Sequence, residues 1–229
     1  MIIPYPRSSE PAKKAYRAYK ERMNPMSRYL IDIRLMGPVE KQIRAISRTL
    51  QERFDLANLA VPHITLAGPF TTDDEPRLLA DFGRVCTAAT APHYDAGGFG
   101  FFDRTRVVYV VIEPDPALKQ FRFDLAQAIA PYCGLRDYDR SSLNEFRFHA
   151  TLAMKLSWLT YTRVRWHFRT VPPVVFRHHP IRATVLRNAK VLCEYDFSQG
   201  RMLTPAQARS RATRKRDEKV LRAWEDGEG

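Results

Sequence analysis

Acidic side chains are the scarce charge in this sequence. Its 229 residues hold 25 Asp and Glu against 37 Lys and Arg, a formal net charge of +12. A surplus that large favours polyanionic partners such as nucleic acid. The imbalance is concentrated at the ends: residues 1–28 carry +5 and residues 201–222 carry +6, whereas residues 29–200 carry only +4. The last seven residues carry −3.

Cysteine is also rare. Cys86, Cys133 and Cys193 are far apart and odd in number, so neither a disulfide framework nor a C-x-x-C pair is expected. They read as small, reduced core residues. No stretch approaches 18 apolar residues, so no transmembrane helix and no membrane association are expected. Met1-Ile2-Ile3-Pro4 lacks the basic start and apolar run of a secretory signal. A cytoplasmic location is the expectation. Several catalytic signatures are missing as well. There is no phosphate loop of the G-x-x-x-x-G-K-[ST] type, and no G-x-S-x-G. Gly97-Gly98-Phe99-Gly100 does not complete a dinucleotide fingerprint. His178 and His179 are adjacent and would point to opposite faces of a strand. His93 and His167 lack partners at ligand spacing. No metal and no cofactor are expected.

What is present is an ordinary core: 45% apolar and 11% aromatic residues exclude wholesale disorder. Hydrophobic spacing predicts a strand over 29–35 and a helix over 39–54. It then predicts a strand over 64–70 and a helix over 77–89. The β-prone run 107–112, a helix over 116–132 and a strand over 146–152 repeat that order. Residues 157–168 are ambiguous between helix and strand. Residues 174–176, 181–186 and 191–197 read as closing strands. Basic helices are expected over 11–23 and 205–224. The domain plan is a basic extension over 1–27, a core over 28–200 and a basic helical tail over 201–229. Strands and helices without a strict βαβ rhythm indicate an α+β fold with antiparallel sheets.

One internal repeat stands out. His63-Ile64-Thr65-Leu66-Ala67 and His149-Ala150-Thr151-Leu152-Ala153 agree at four of five positions, 86 residues apart. With six His and fourteen Thr in the chain, chance supplies about 0.4 His-x-Thr matches under independent residues. Two matches, each followed by Leu-Ala, are far beyond chance. On a strand, residues i and i+2 share a face. His63 and Thr65 therefore project together, as do His149 and Thr151. If the two halves pack about a pseudo-twofold axis, both pairs face one cleft. Two imidazoles flanking a bound group suit acid and base work near neutral pH. The two hydroxyls can donate to phosphate oxygens.

The duplicated His-x-Thr-Leu resembles the 2H phosphoesterase superfamily, which includes the 2′–5′ RNA ligases and 2′,3′-cyclic phosphodiesterases. Phe99-Gly-Phe-Phe-Asp103, the strand Arg106–Ile112 and Asp115-Pro-Ala-Leu118 are similar to the segment such proteins carry between their motifs. The resemblance spans roughly residues 28–200. Pro62 fits the residue the family often places before its His, whereas Phe148 departs from it at the second site. The resemblance implies a bilobal fold, two pseudo-symmetric lobes with antiparallel sheets facing a central cleft. It implies one His as general base, the other as acid on the leaving ribose oxygen, and Thr65 and Thr151 holding phosphate oxygens. Which His plays which role stays open. The implied partner is RNA, or a nucleotide, with a cyclic phosphate or 2′–5′ linkage. A monomer is the expected state.

Further candidates for substrate contact follow from position. Arg147 precedes His149 by two residues and shares its face on a regular strand. Phe101 or Phe102 offers a stacking surface, with Arg104 and Arg106 beside it for the backbone. Lys155 shares the His149 face if the strand stays regular. Tyr138 and Arg140 lie in the loop before the second motif. The basic tail offers an electrostatic track for RNA. Two other readings remain: a non-catalytic module that binds RNA ends, and a phosphodiesterase for a small cyclic nucleotide.

Overall fold

The structure is a computed structural model that describes residues 27–56 and 61–225. The helix expected over 11–23 lies outside the described residues. Two strand–helix–strand units carry the motifs. The first runs β1 (Arg28–Arg34), α1 (Gly37–Phe54) and β2 (His63–Thr71), followed by α2 (Glu75–Ala88). After β3 (Tyr94–Phe102) comes the second: β4 (Val107–Pro114), α3 (Pro116–Ile129) and β5 (His149–Ala153), followed by α4 (Trp158–His167). The chain closes with β6 (Val175–His178), β7 (Arg182–Arg187), β8 (Lys190–Asp196), β9 (Arg201–Leu203), α5 (Pro205–Ala208) and α6 (Arg211–Glu225).

Local chemistry sets the helix starts. Asp74 accepts a hydrogen bond from the Arg77 amide at 3.0 Å, Asp115 from the Leu118 amide at 2.7 Å, and Ser157 from the Thr160 amide at 3.1 Å. Each such cap contributes about 1 kcal/mol. Proline occupies the first turn of α1, α2 and α3, where its missing N–H costs nothing. The ambiguous segment 157–168 resolves as α4 by virtue of the Ser157 cap and its buried Tyr161 and Val164.

The nine strands form one antiparallel sheet in the order β6-β3-β4-β5-β2-β1-β7-β8-β9. Its two halves meet where β2 and β5 share a single partner pair, Ile64 and Ala150. The expected two-lobed antiparallel plan is therefore present, with the lobes joined edge to edge through the motif strands. Each unit's helix crosses to the other half: α1 packs on β5, and α3 packs on β2. The helix-side core holds Ile33, Ile64, Leu66, Ala150 and Leu152, all essentially buried.

Register makes the two units equivalent. On β1, Arg34 lies opposite His63, Asp32 opposite Thr65, and Ile31 opposite Ala67. On β4, Val111 lies opposite His149, Tyr109 opposite Thr151, and Val108 opposite Ala153. In both places one residue of the motif strand is left unopposed, Leu66 in the first and Leu152 in the second. Both motifs thus carry the same bulge at the Leu of their Leu-Ala, and a bulge swings a strand and re-aims its side chains.

Two expectations need correction. The tail boundary at residue 200 falls inside the sheet, because β9 pairs with β8. The C-terminal helices also dock on the domain. Arg182, on the cleft face of β7, donates to Asp217 of α6 at 2.5 Å and to the Ala208 carbonyl at 3.2 Å. The strand expected over 146–152 begins only at His149. The residues before it pack instead through Phe146 and Phe148, whose rings lie 4.9 Å apart.

Candidate active site

Both His-x-Thr pairs project as the period of two requires. His63, Thr65, His149 and Thr151 are half-buried, whereas Ile64, Leu66, Ala150 and Leu152 between them are buried. Because β2 and β5 are neighbours, the four side chains share one face at the centre of the sheet. The imidazoles are close enough that a charge on His63 disfavours one on His149.

The two imidazoles are held in the same way. Nδ1 of His63 donates to the Val61 carbonyl at 2.7 Å, and Nδ1 of His149 donates to the Arg147 carbonyl at 2.9 Å. A carbonyl can only accept, so the hydrogen sits on Nδ1 in both rings. Nε2 is then the nitrogen left available, with a lone pair when the ring is neutral and a proton when it is charged.

The sequence profile of the 2′-5′ RNA ligase superfamily matches residues 37–189, a stretch that contains both motifs. The chain belongs to the 2′-5′ RNA ligase superfamily. Among solved structures, one described as a phosphoesterase is similar at TM-score 0.49 and 19% identity, covering 78% of this chain and 94% of its own. Apo LigT of E. coli is similar at 0.47 and 20%, covering 78% and 92%. Usb1 of Kluyveromyces marxianus with uridine monophosphate is similar at 0.40 and 12%, covering 72% and 96%. No curated protein matches the chain by sequence.

Around the superfamily motifs, the two halves supply different neighbours. His149 sits in an aromatic cradle, with Phe102 edge-on at 5.0 Å and Tyr109 at 5.2 Å. Burial there lowers its pKa below the usual 6.5, against the opposing pull of its bond to the Arg147 carbonyl. Gly100 makes room for this cradle: a Cβ there would stand 2.2 Å from the Tyr109 ring. On the His63 side the register equivalent of Tyr109 is Asp32, 3% exposed. Burial pushes its carboxyl up to about 6, opposed by His63 and Arg34 and aided by Glu194.

The remaining candidates of this superfamily member divide. Phe102 touches His149, and Arg147 is near enough that its charge acts on Tyr109. Phe101 does not share the face of His149. It alternates to the helix side, where its ring meets Tyr161 at 6.3 Å and Phe168 at 6.2 Å. Arg106 has a left-handed backbone, and its Nε donates to the Leu156 carbonyl at 2.7 Å, a turn brace. Lys155 loses its basis, because β5 ends at Ala153 and Lys155 turns through φ +59°. Arg104 is exposed in the turn between β3 and β4.

Sequence reasoning passed over Asp32, Arg34 and Tyr109. Strand register alone brings them to the motifs, and no local pattern marks them. It also passed over Arg122, which is 1% exposed and donates to the carbonyls of Leu66, Tyr138, Asp139 and Ser141. Asp139 accepts from the Gly68 amide at 3.2 Å, and the Tyr138 hydroxyl donates to the Gly68 carbonyl at 3.0 Å. The loop before the second motif is thereby tied to the backbone just past the first. Among the described residues, no group of three or more His, Cys, Asp and Glu is placed to hold a metal ion. None of the described helices is long and apolar enough to cross a membrane.

Proposed function

We propose that the protein is a phosphoesterase that opens 2′,3′-cyclic phosphates at RNA ends by two-histidine acid–base chemistry. The observation that carries this reading is the matched pair of imidazoles, each fixed through Nδ1 with Nε2 left for proton transfer. Each has a threonine hydroxyl on the same face. An in-line displacement at phosphorus needs a base on one side and an acid on the other. Imidazoles from adjacent strands fit those positions.

His149 serves as the base. Its aromatic cradle favours the neutral ring with a lone pair on Nε2. It takes a proton from water as the water oxygen attacks phosphorus. His63, the second imidazole, serves as the acid, with the Asp32 carboxyl on the same face across the strand from Thr65. It gives its proton to the departing ribose oxygen, leaving a phosphomonoester and a free hydroxyl. Thr65 and Thr151 donate to the non-bridging oxygens, whose charge the transition state must hold. Arg147 adds a positive charge at the rim of the His149 side. A 5′-hydroxyl in place of water would join two strands through the same groups.

The test is turnover of a short RNA ending in a 2′,3′-cyclic phosphate, with EDTA present and no ATP. His63→Ala and His149→Ala should each lower the rate about 10²–10⁴-fold. Near-wild-type turnover in either variant would overturn the reading. RNA binding with no turnover by the wild type would point instead to a binding module.

A further inference from the structure

The C-terminal helix α6 carries a second, separate pattern. Its positions Thr213, Asp217 and Leu221 are buried, with Arg216, Val220 and Trp224 half-buried beside them. That is one helical stripe facing inward. The opposite face is exposed over 211–222 and holds Arg211, Arg214, Lys215, Lys219 and Arg222 against one acid in that span, Glu218. None of these five cations forms an ion pair with a described residue. The five repel one another, so a face of this kind is stabilised by an anion from outside the chain.

The helix is held firmly in place. Asp217 receives Arg182 at 2.5 Å, and Arg216 reaches the buried Asp196 at 3.0 Å. Ser210 caps the first turn through the Thr213 amide at 3.2 Å. Near the other end, Leu221 lies against Gly37, where an added Cβ would stand 3.0 Å from Leu221 Cδ1. The Trp224 ring lies 5.1 Å from that of His179. The cations are thus presented on a fixed scaffold.

Its location ties this face to the active site. Arg182 and Asp196 lie on the same sheet face as Asp32, which faces Thr65 across the strands. Gly37 follows Arg34 by three residues, and Arg34 lies opposite His63. α6 therefore docks, through Arg182 and Asp196, on the sheet face that carries the His–Thr pairs.

We propose that the exposed face of α6 binds the phosphate backbone of the RNA strand whose end is processed at the His63–His149 pair. This rests on the RNA-end reading above and extends it from a terminal nucleotide to a strand. From Arg211 to Arg222 the helix runs about 16 Å at 1.5 Å per residue, enough to lie beside several nucleotides. A basic helix that binds membrane surfaces uses an exposed apolar face. The apolar side of α6 is spent on the protein, which leaves charge alone for the ligand. Charge alone is what a sequence-independent nucleic-acid contact requires.

The test compares the wild type with R211Q/R214Q/K215Q, which leaves the buried Arg216 and Asp217 contacts intact. The probe is a labelled 12-nucleotide single-stranded RNA with a 3′-phosphate, so that binding is read without turnover. The variant should bind at least tenfold more weakly at low salt. Its log–log salt slope should be smaller by about two, the value for three lost contacts at roughly 0.7 each. Its kcat/KM for a cyclic-phosphate RNA, relative to that for a mononucleoside 2′,3′-cyclic phosphate, should fall by a similar factor. Equal RNA affinity and slope in the two proteins would overturn the proposal. So would a loss confined to vesicles of anionic phospholipid. Wild-type binding through α6 without turnover of either substrate would leave this proposal standing and remove the RNA-end chemistry. Turnover with no effect of the variant would do the reverse.

Discussion

The two halves of the sheet repeat one backbone plan and fill it with opposite chemistry. Beside Thr65 stands Asp32, then Thr184 on β7, then Glu194 on β8, a line of buried polar groups, with α5 and α6 bonded to the neighbouring Arg182 and Asp196. Beside Thr151 stands Tyr109, then Gly100 on β3, with Phe102 two residues on. The pairing register is the same, down to the unopposed leucine in each motif. The neighbours across the strands make one imidazole's surroundings ionic and the other's aromatic. Under the proposed mechanism, a site that holds a base and an acid at once gains from that difference.

The largest way to break the comparison acts on stability. On the β2 side the face is held by Arg182, 5% exposed, with Glu194 at 2.9 Å, Asp196 at 3.7 Å and Asp217 at 2.5 Å. Hydrogen bonds from Ser198 and Gln199, with the charges of Arg182 and Arg216, hold the Asp196 carboxyl below its usual range in spite of burial. Arg182→Met leaves three carboxylates without their shared cation, and should cost about 3–5 kcal/mol in urea unfolding. On the β5 side Tyr109→Phe removes only one hydroxyl and should cost about 1 kcal/mol or less. Equal losses would mean that the ionic face contributes no more than the aromatic one.

A smaller effect separates the halves by pH. Asp32, on the β2 side, titrates near 6 when folded and 3.8 when unfolded. The folded state binds the extra proton between those values, so its contribution is full below 3.8 and is lost as pH rises to about 6. His178, at the far edge of the β5 side, is pushed down to about 4 by burial and by His179, from 6.5. Its contribution is full above 6.5 and is lost as pH falls toward 4. Each window corresponds to about 3 kcal/mol. Relative to wild type, Asp32→Asn should gain stability as pH rises from 4 to 6, and His178→Gln should lose it. Denaturation midpoints across that range test both signs.

How much of this was legible in the sequence depends on distance along the chain. The motif residues could be found because each pair is local: two residues apart on a strand, repeated 86 positions later. The caps at Asp74, Asp115 and Ser157 are local too, acting on amides three residues on, yet spacing alone started one helix at 77 and left 157–168 ambiguous. Asp32 could not. Within Tyr29–Leu35 a lone Asp reads as the solvent side of a strand, and only its place between β2 and β7 in the folded sheet buries it. Tyr94–Phe102 resisted assignment because three of its nine residues are glycine. Its strand character comes from pairing with β4 and β6. Lys155 was misplaced for the converse reason. Its assigned face assumed a regular strand two residues beyond where β5 stops.

The smallest expected effect is the one that bears most directly on the two roles. If His149 is the base, the acid limb of the kcat/KM profile reports its protonation, and that limb lies below the usual 6.5 because Phe102 and Tyr109 keep water from the ring. Phe102→Ala admits water beside His149. Its charged form becomes less costly, its pKa rises toward 6.5, and the acid limb moves to higher pH. The rate should therefore fall by a factor of several near pH 6 and change little near pH 8. Asp32→Asn should leave this limb in place, because Asp32 belongs to the other imidazole's half. An acid limb that moves in Asp32→Asn and stays fixed in Phe102→Ala would exchange the roles, making His63 the base and leaving the aromatic cradle to pack the ring. The comparison between the halves would survive that result, but its chemical meaning would reverse.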